Sequence, residues 1–199
     1  MADWRKRQKE ALRQELYAAA LDLFNDQGFD DTSVQQITSR VGVAKGTFFN
    51  HFPSKEHVLE QWYHGITFDC LETARARPWQ GVEDAVVSLF ADMAGRAAEH
   101  PELLAAKARH GGHPLLVQAE KVQDDEIDAY MLDCCRRGQA AGELRSDLDL
   151  DFFVGAVGAM LTGTSREWVA RDPRFDFAAV VHDRTRFLFR AARAADSDS

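Results

Sequence analysis

Apolar and polar positions alternate with the period of an α-helix along almost the whole chain. The first segment shows this most clearly, because its apolar residues follow the spacing of one buried helical stripe. The stripe consists of Leu12, Leu16, Ala19, Ala20, Leu23 and Phe24. Gly28 follows it and suits the position just beyond a helix C-terminus. Since no segment shows convincing strand alternation, the pattern predicts an all-α protein of about nine helices.

A first helix and two short helices are predicted to form an N-terminal unit. The second helix lies in "TSVQQITSR", where Thr32 or Ser33 is the N-cap and Gln36 completes a weak capping box with Ser33. A turn around Gly42 separates it from a third helix over about 45–51. Two short helices joined by a glycine turn have the layout of a helix-turn-helix.

The rest of the pattern predicts a larger helical body. A fourth helix follows a cap at Ser54 and runs to about Arg75, so that residues 54–75 connect the two parts. The further helices are predicted at 82–98, 101–110, 115–140, 150–171 and 175–194. We therefore expect a helix-turn-helix domain over 1–53, a second domain over 54–194 and a disordered polar tail over 195–199.

The charge is distributed unevenly. The net charge of −8 argues against a protein that coats nucleic acid, but residues 1–13 carry five basic and two acidic side chains. Such an arm is compatible with a small footprint on a phosphate backbone. The N-terminus lacks the apolar run of a secretory signal, and the apolar run at 152–161 is too short to span a bilayer. We expect a soluble, cytoplasmic protein without a membrane partner.

The stretch "GVAKGTFFNHF" at 42–52 contains an unusual exposed face. On a helical wheel Phe48 points toward the core, whereas Gly46, Thr47 and Asn50 point away from it. Glycine inside a helix costs about 1 kcal/mol relative to alanine, so it needs a reason. Close approach of a DNA backbone or base edge is such a reason.

The neighbouring polar residues have side chains that suit DNA. Asn50 can pair with the edge of adenine, and Lys45 with guanine or a phosphate.

The segment "FDDTSVQQITSRVGVAKGTFFNHFPSKEHVLE" resembles the DNA-binding domain of the TetR family of transcriptional repressors. The shared pattern is a phenylalanine-glycine turn, then T-[TS]-V-x-x-I, then G-V-[ST]-x-G-T-[LF]-Y-x-[YH]-F-x-[SN]-K-[ED]. Two positions depart from it: Ala44 replaces a capping Ser or Thr, and Phe49 replaces a tyrosine that contacts phosphate. The resemblance implies phosphate contacts from Thr32 or Ser33, Thr47, His51 and Lys55. It implies base or groove contacts from Lys45, Gly46, Phe49 and Asn50.

The resemblance also implies a function for the larger domain. It implies a repressor that binds a palindromic double-stranded operator as a homodimer and is released by a small-molecule effector. The last two helices would pair with a twofold mate, and the surplus of apolar residues at 150–194 agrees with this. The candidate pocket residues combine apolar bulk with an occasional polar tip. They are Trp62, Ile66, Phe90, Met93, His110, Tyr130, Met131 and Cys134.

Three alternatives remain open. An enzyme is disfavoured because no nucleophile, nucleotide-binding or zinc-protease motif is present, and we expect no cofactor or metal. A thiol- or metal-responsive repressor could sense through Cys134 and Cys135, since Arg136 and Arg137 follow them and nearby cations lower a thiol pKa. A purely structural helical adaptor would bind no specific DNA sequence.

Overall fold

The computed structural model describes residues 2–113, 117–171 and 175–193, and most of these residues lie in helices joined by short connections. The helices of this described part are α1 (Ala2–Gln27), α2 (Val34–Val41), α3 (Lys45–Phe49), α4 (Lys55–Ala76), α5 (Val82–Ala98), α6 (Pro101–His110), α7 (Val117–Ala140), α8 (Leu150–Ala170) and α9 (Phe177–Ala192). The predicted all-α class is confirmed. The predicted tail and the predicted start of α7 at 115 lie outside the described residues.

The N-terminal unit is built around the predicted stripe of α1. Leu16, Ala20 and Phe24 are fully buried and meet apolar side chains from the loop and the two short helices. Those partners are Phe29, Ile37, Phe48 and Phe52. Gly28 has a φ of 88°, which is the left-handed conformation that glycine accepts most easily after a helix.

Helix α4 joins this unit to the larger body. It packs on α1 near its start and on α5, α6 and α7 further along. Its buried face begins with Val58 and Leu59 and continues to Cys70 and Leu71. The predicted cap at Ser54 is wrong in one respect, because its Oγ lies 3.0 Å from His57 Nδ1 and bonds no backbone N–H of the first turn.

The larger body has α5 at its centre. This helix packs along α9 and against α4, and α8 completes the far side with contacts to α6, α7 and α9. The body contributes long apolar side chains to the core, among them Val86, Leu89, Phe90, Leu103, Val157, Val181 and Phe189. Among the described helices, none is both long and apolar enough to cross a membrane.

Candidate nucleic-acid interface and internal cavity

The exposed face of α3 is open at its centre. Lys45, Gly46 and Asn50 are all exposed, and a Cβ added at Gly46 would meet no atom within 4 Å. Ala44 occupies the N-cap position with no side-chain hydrogen bond, so the first N–H groups of this helix point outward without a side-chain cap. The exposed face of α3 therefore leaves room for the close approach of a DNA backbone or base edge that the sequence predicts.

The aromatic side chains of this helix divide between core and surface. Phe48 is fully buried, with its ring centroid 5.5 Å from that of Phe52. Phe49 is 49% exposed and meets Phe48 edge to face at 5.6 Å. Phe49 therefore presents an apolar surface beside Gly46, held in place by the buried ring.

Thr47 and His51 are half-buried at the edge of the same surface. His51 Nδ1 is buried, and among the described residues it has no hydrogen-bond partner. Burial, followed by the positive charges of Lys9 and Arg13, lowers the pKa of His51. The neutral imidazole is therefore favoured in the free protein, with its ring next to the basic N-terminal arm.

The two predicted alternatives at the start of α2 have separate roles. Ser33 is the N-cap: its Oγ accepts from Gln36 N at 3.2 Å, and Ser33 N donates to Gln36 Oε1 at 2.8 Å. The capping box is thus present. Thr32 is buried instead, and its hydroxyl donates to Gly28 O at 2.7 Å. Its hydroxyl is occupied within the fold, whereas Ser33 is exposed.

The resemblance assigns Lys55 to a phosphate contact, and in the free protein its side chain makes its contacts within the fold. Its Nζ donates to the carbonyl oxygens of Phe29 at 2.6 Å and Thr32 at 3.0 Å, and it lies 4.3 Å from the centre of the Phe29 ring. The carbonyl groups of this loop therefore supply the negative partner of the ammonium group in the free protein. Lys55 fixes the loop between α1 and α2 to the start of α4.

A cavity of about 500 Å³ lies inside the larger body and is lined by residues of α4 to α9. Its apolar wall includes three of the predicted pocket residues, Phe90, Met93 and Met131, together with Ile127 and Phe177. The volume falls within the range of about 300–1,000 Å³ found for ligand pockets. The cavity can therefore hold a small organic molecule.

Three predicted pocket residues lie away from this wall. Trp62 is buried with its ring against those of Tyr63 and His100, and Ile66 is half-buried against the core. His110 lies at the junction between the two domains, where its ring packs on Phe29 at 4.8 Å. The helical period marks these positions as apolar, but it cannot show which helix each one faces.

Tyr130 and Cys134 line a second cavity, of about 550 Å³, on another side of α7. Arg137 in the same wall lies 3.8 Å from the ring centre of Trp79. Of the eight predicted pocket residues, five do not line the main cavity: Trp62, Ile66, His110, Tyr130 and Cys134.

The sequence pattern gave no sign of a buried ionic group beside the main cavity. Lys107 Nζ lies 2.6 Å from Glu60 Oε2 and 2.9 Å from Glu120 Oε1, and Gln123 Nε2 donates to Glu60 Oε1 at 2.6 Å. Burial opposes the charge on Lys107, but these two carboxylates raise its pKa overall. The group is assembled from three different helices, so the spacing along the chain does not reveal it.

Comparison with known proteins gives one answer. The family model for bacterial regulatory proteins of the tetR family matches residues 16–61, which contain the open face of α3 and its supporting core. The chain is 28% identical over 162 residues to the transcriptional regulator SrpR of Pseudomonas putida, covering 77% of this chain and 73% of the relative. It is 29% identical over 174 residues to TcmR of Streptomyces glaucescens, covering 84% and 77%.

Solved structures agree with the sequence matches. A tetR family transcription regulator from Shewanella sp. PV-4 superposes with a TM-score of 0.63 and 26% identity, covering 92% of this chain and 98% of that one. The chain belongs to the TetR family of transcriptional regulators. The fold of Thermus thermophilus FadR, a TetR family repressor solved with lauroyl-CoA, is also similar, with a TM-score of 0.69 at 23% identity over 94% and 99% of the two chains.

The cysteine pair of this TetR-family protein does not support thiol sensing. Cys134 and Cys135 are both buried, and burial raises the pKa of both thiols, that of Cys135 to about 12. The expected effect of the following arginines is outweighed, so the reactive thiolate is disfavoured. In the part of the chain that the structure describes, no group of three or more His, Cys, Asp or Glu side chains is placed to hold a metal ion.

Proposed function

We propose that this chain is a cytoplasmic, homodimeric repressor that binds a palindromic double-stranded operator and leaves it when a small molecule fills the main cavity. One observation carries the proposal: α4 has its first residue in the DNA-binding unit and its middle in the cavity wall. Lys55 holds the loop before α2, and eight residues later Tyr63 lines the cavity. A ligand that moves α4 would therefore move the helix-turn-helix.

The proposed DNA contacts divide by position. Lys45, Gly46, Phe49 and Asn50 lie on the open face of α3, where base edges can be reached. Ser33, Thr47 and His51 flank it and are suited to phosphates. The basic side chains in the first turns of α1 are exposed, as is Trp4, and they offer a positively charged surface for further phosphates.

The proposed dimer uses the outer face of α8 and α9. Phe152 and Phe187 are 76% and 69% exposed, which is costly for large apolar side chains that stay in water. Ala159 and Gly163 are exposed on the Phe152 face of α8, and small residues let a second helix approach closely. A twofold interface here would place two α3 helices on one palindromic site.

Release from DNA follows from linkage. A ligand that binds one spacing of the two α3 helices more tightly than the other shifts the population toward that spacing, and operator affinity changes by the same factor as ligand affinity. Couplings of this kind commonly amount to about 5- to 150-fold.

The test begins with selection of bound sequences from random duplex DNA, which identifies an operator directly. Small molecules that raise the unfolding temperature of the protein are then added to an anisotropy titration of the labelled operator. We expect a palindromic operator and weaker binding when the ligand is saturating. If no DNA sequence is selected, the chain does not bind DNA sequence-specifically. If operator affinity is unchanged with every stabilising ligand, ligand binding does not release the protein from the operator.

A further inference from the structure

Two carboxylates of the cavity wall form no ion pair with a basic side chain in the described part of the chain. Asp124 and Asp128 are four residues apart on α7, so they lie on the same side of that helix, and both line the main cavity. Among the described residues, neither carboxylate is within hydrogen-bond or salt-bridge distance of a donor side chain. Burial, followed by the negative charge of Asp128, raises the pKa of Asp124, and the positive charge of Lys107 opposes this shift only in part. Burial likewise raises the pKa of Asp128, followed by the charge of Asp125.

The cations near the cavity do not balance these charges. Lys107 is already held between Glu60 and Glu120, two carboxylates for one cation. Arg166 is the other basic side chain in the described wall, and it is exposed at the opening without an ion pair to either aspartate. The cavity and its ionic group therefore carry four carboxylates against two basic side chains.

Much of the remaining wall is apolar or aromatic, beside the polar side chains of Gln123, Thr162 and Ser165. Phe90, Met93, Met131 and Phe177 are buried, and they offer ring faces and thioether surface in the same cavity wall as the acidic residues. A cation gains energy from an aromatic face, and its alkyl groups gain energy from leaving water. Asp124 is exposed and Asp128 is half-buried, so water solvates both until a ligand covers them, and a cationic ligand would offset the desolvation that covering causes.

We propose that the main cavity takes an organic cation with an apolar body, with its positive nitrogen beside Asp124 and Asp128 and its apolar part against Phe90, Met93 and Phe177. This inference rests on the proposed function, because it names the chemical class of the effector for the same cavity. An anionic or polyanionic ligand is disfavoured by the same charges, since a like charge next to unpaired carboxylates costs free energy.

Three probes of similar size separate charge from apolar contact. Octyltrimethylammonium is the cation, its carbon isostere carrying a tert-butyl group is the neutral analogue, and octyl sulfate is the anion, each titrated by calorimetry below its micelle concentration. We expect the ammonium probe to bind at least about tenfold more tightly than either analogue, since a charge-assisted contact that is partly buried is worth about one order of magnitude.

Two variants test the acidic wall, and a third serves as a control. Asp124→Asn and Asp128→Asn keep shape and remove one charge each, so each should weaken the ammonium probe about tenfold and leave the neutral analogue unchanged. Glu126→Gln makes the same charge change on α7 at an exposed residue outside the wall, and it should change neither affinity by more than about twofold.

The probe titrations test the ligand class without any DNA in the experiment. Tighter binding of the anion or of the neutral analogue would overturn the inference, as would equal losses in Asp124→Asn and Glu126→Gln, or no binding of any probe. Operator selection is measured separately, so a protein that reads DNA but rejects the ammonium probe would contradict the ligand class alone.

Discussion

His110 Nε2 lies 2.9 Å from Asp30 Oδ1, so the last residue of α6 contacts the loop that leads into the helix-turn-helix. Arg109 approaches the same carboxylate, with Nη2 3.4 Å from Oδ2. Lys107, on the same helix, is part of the cavity wall. The C-terminal end of α6 thus provides a second connection between cavity and DNA-binding unit, beside α4.

We predict that Asp30→Ala weakens the coupling between ligand and operator. The coupling factor, which is the operator affinity without ligand divided by that with saturating ligand, should fall about two- to fivefold, because a largely exposed ion pair is worth about 0.2–1 kcal/mol. Ligand affinity of the free protein should stay the same. Asp31→Ala removes the neighbouring carboxylate and is the control. Equal coupling in wild type and Asp30→Ala would show that α6 does not transmit the signal through this contact.

Removing the Lys55 side chain should lower the stability of the protein, whereas removing the Lys45 side chain should not. Lys55→Ala leaves three carbonyl oxygens of the loop without their charged donor, so the free energy of unfolding in urea should fall by about 1–3 kcal/mol. Lys45 is exposed and makes no such contacts with the described residues, so Lys45→Ala should change stability by less than about 0.5 kcal/mol.

The salt dependence of operator binding should change in Lys45→Ala and stay the same in Lys55→Ala, the reverse of the effect on stability. Loss of a phosphate contact lowers the slope of log K against log salt by about one per protomer, and we expect this for Lys45→Ala alone. A reduced slope for Lys55→Ala with unchanged stability would restore Lys55 as a phosphate anchor.

Phe187→Asp should separate the proposed dimer. A carboxylate placed at the centre of an apolar interface is desolvated without a partner, and a central aromatic residue is commonly worth about 2 kcal/mol or more. The dissociation constant from sedimentation should therefore rise about thirtyfold or more. Phe68→Asp is the matched control, because Phe68 is 51% exposed on α4, outside the proposed interface. A dimer that survives Phe187→Asp and dissociates with Phe68→Asp would relocate the interface to α4.

The unpaired aspartates of the cavity should lower stability at neutral pH. A carboxyl group whose pKa is raised by folding binds its proton more tightly in the folded state, so stability falls as the pH rises from the unfolded pKa of 3.8 through the folded pKa. Asp124→Asn and Asp128→Asn should therefore raise the free energy of unfolding at pH 7 by a few tenths of a kcal/mol, a value reduced by solvent screening.

This gain should disappear below the unfolded pKa, where the aspartates are protonated in both states. Chemical denaturation at pH 7 and at low pH measures the difference. Variants less stable than wild type at pH 7 would show that the aspartates are paired in solution.

The sequence predicted well those features that depend on neighbouring residues. The stripe of α1, the capping box of Ser33 with Gln36 and the open position at Gly46 all follow from local spacing, and the structure contains each of them. Such features need only the helical period and the chemistry of a few consecutive side chains.

Features that depend on packing between distant segments were not predicted. Lys55 meets a loop 23 to 26 residues earlier, and His110 meets Asp30 80 residues away, which sequence spacing does not reveal. The cavity also depends on packing between distant segments, because six helices supply its wall. Only three of its apolar residues were therefore predicted. The ionic group of Lys107 required three helices to be placed before its partners could be identified.

Gly46→Leu tests the central claim, that the open face of α3 reads DNA. A side chain at Gly46 meets no atom of the free protein, and leucine favours a helix over glycine by about 1 kcal/mol, so the unfolding temperature should stay equal or rise. In the complex the same side chain would occupy the space of the duplex. Gly65→Leu is the matched control, since Gly65 is also helical, exposed and open.

The decisive measurement is the anisotropy titration of the selected operator with wild type, Gly46→Leu and Gly65→Leu. We expect that Gly46→Leu loses sequence-specific binding while remaining folded, and that Gly65→Leu binds like wild type. Normal operator binding by a folded Gly46→Leu protein would contradict this expectation, because Gly46 would then not face the DNA.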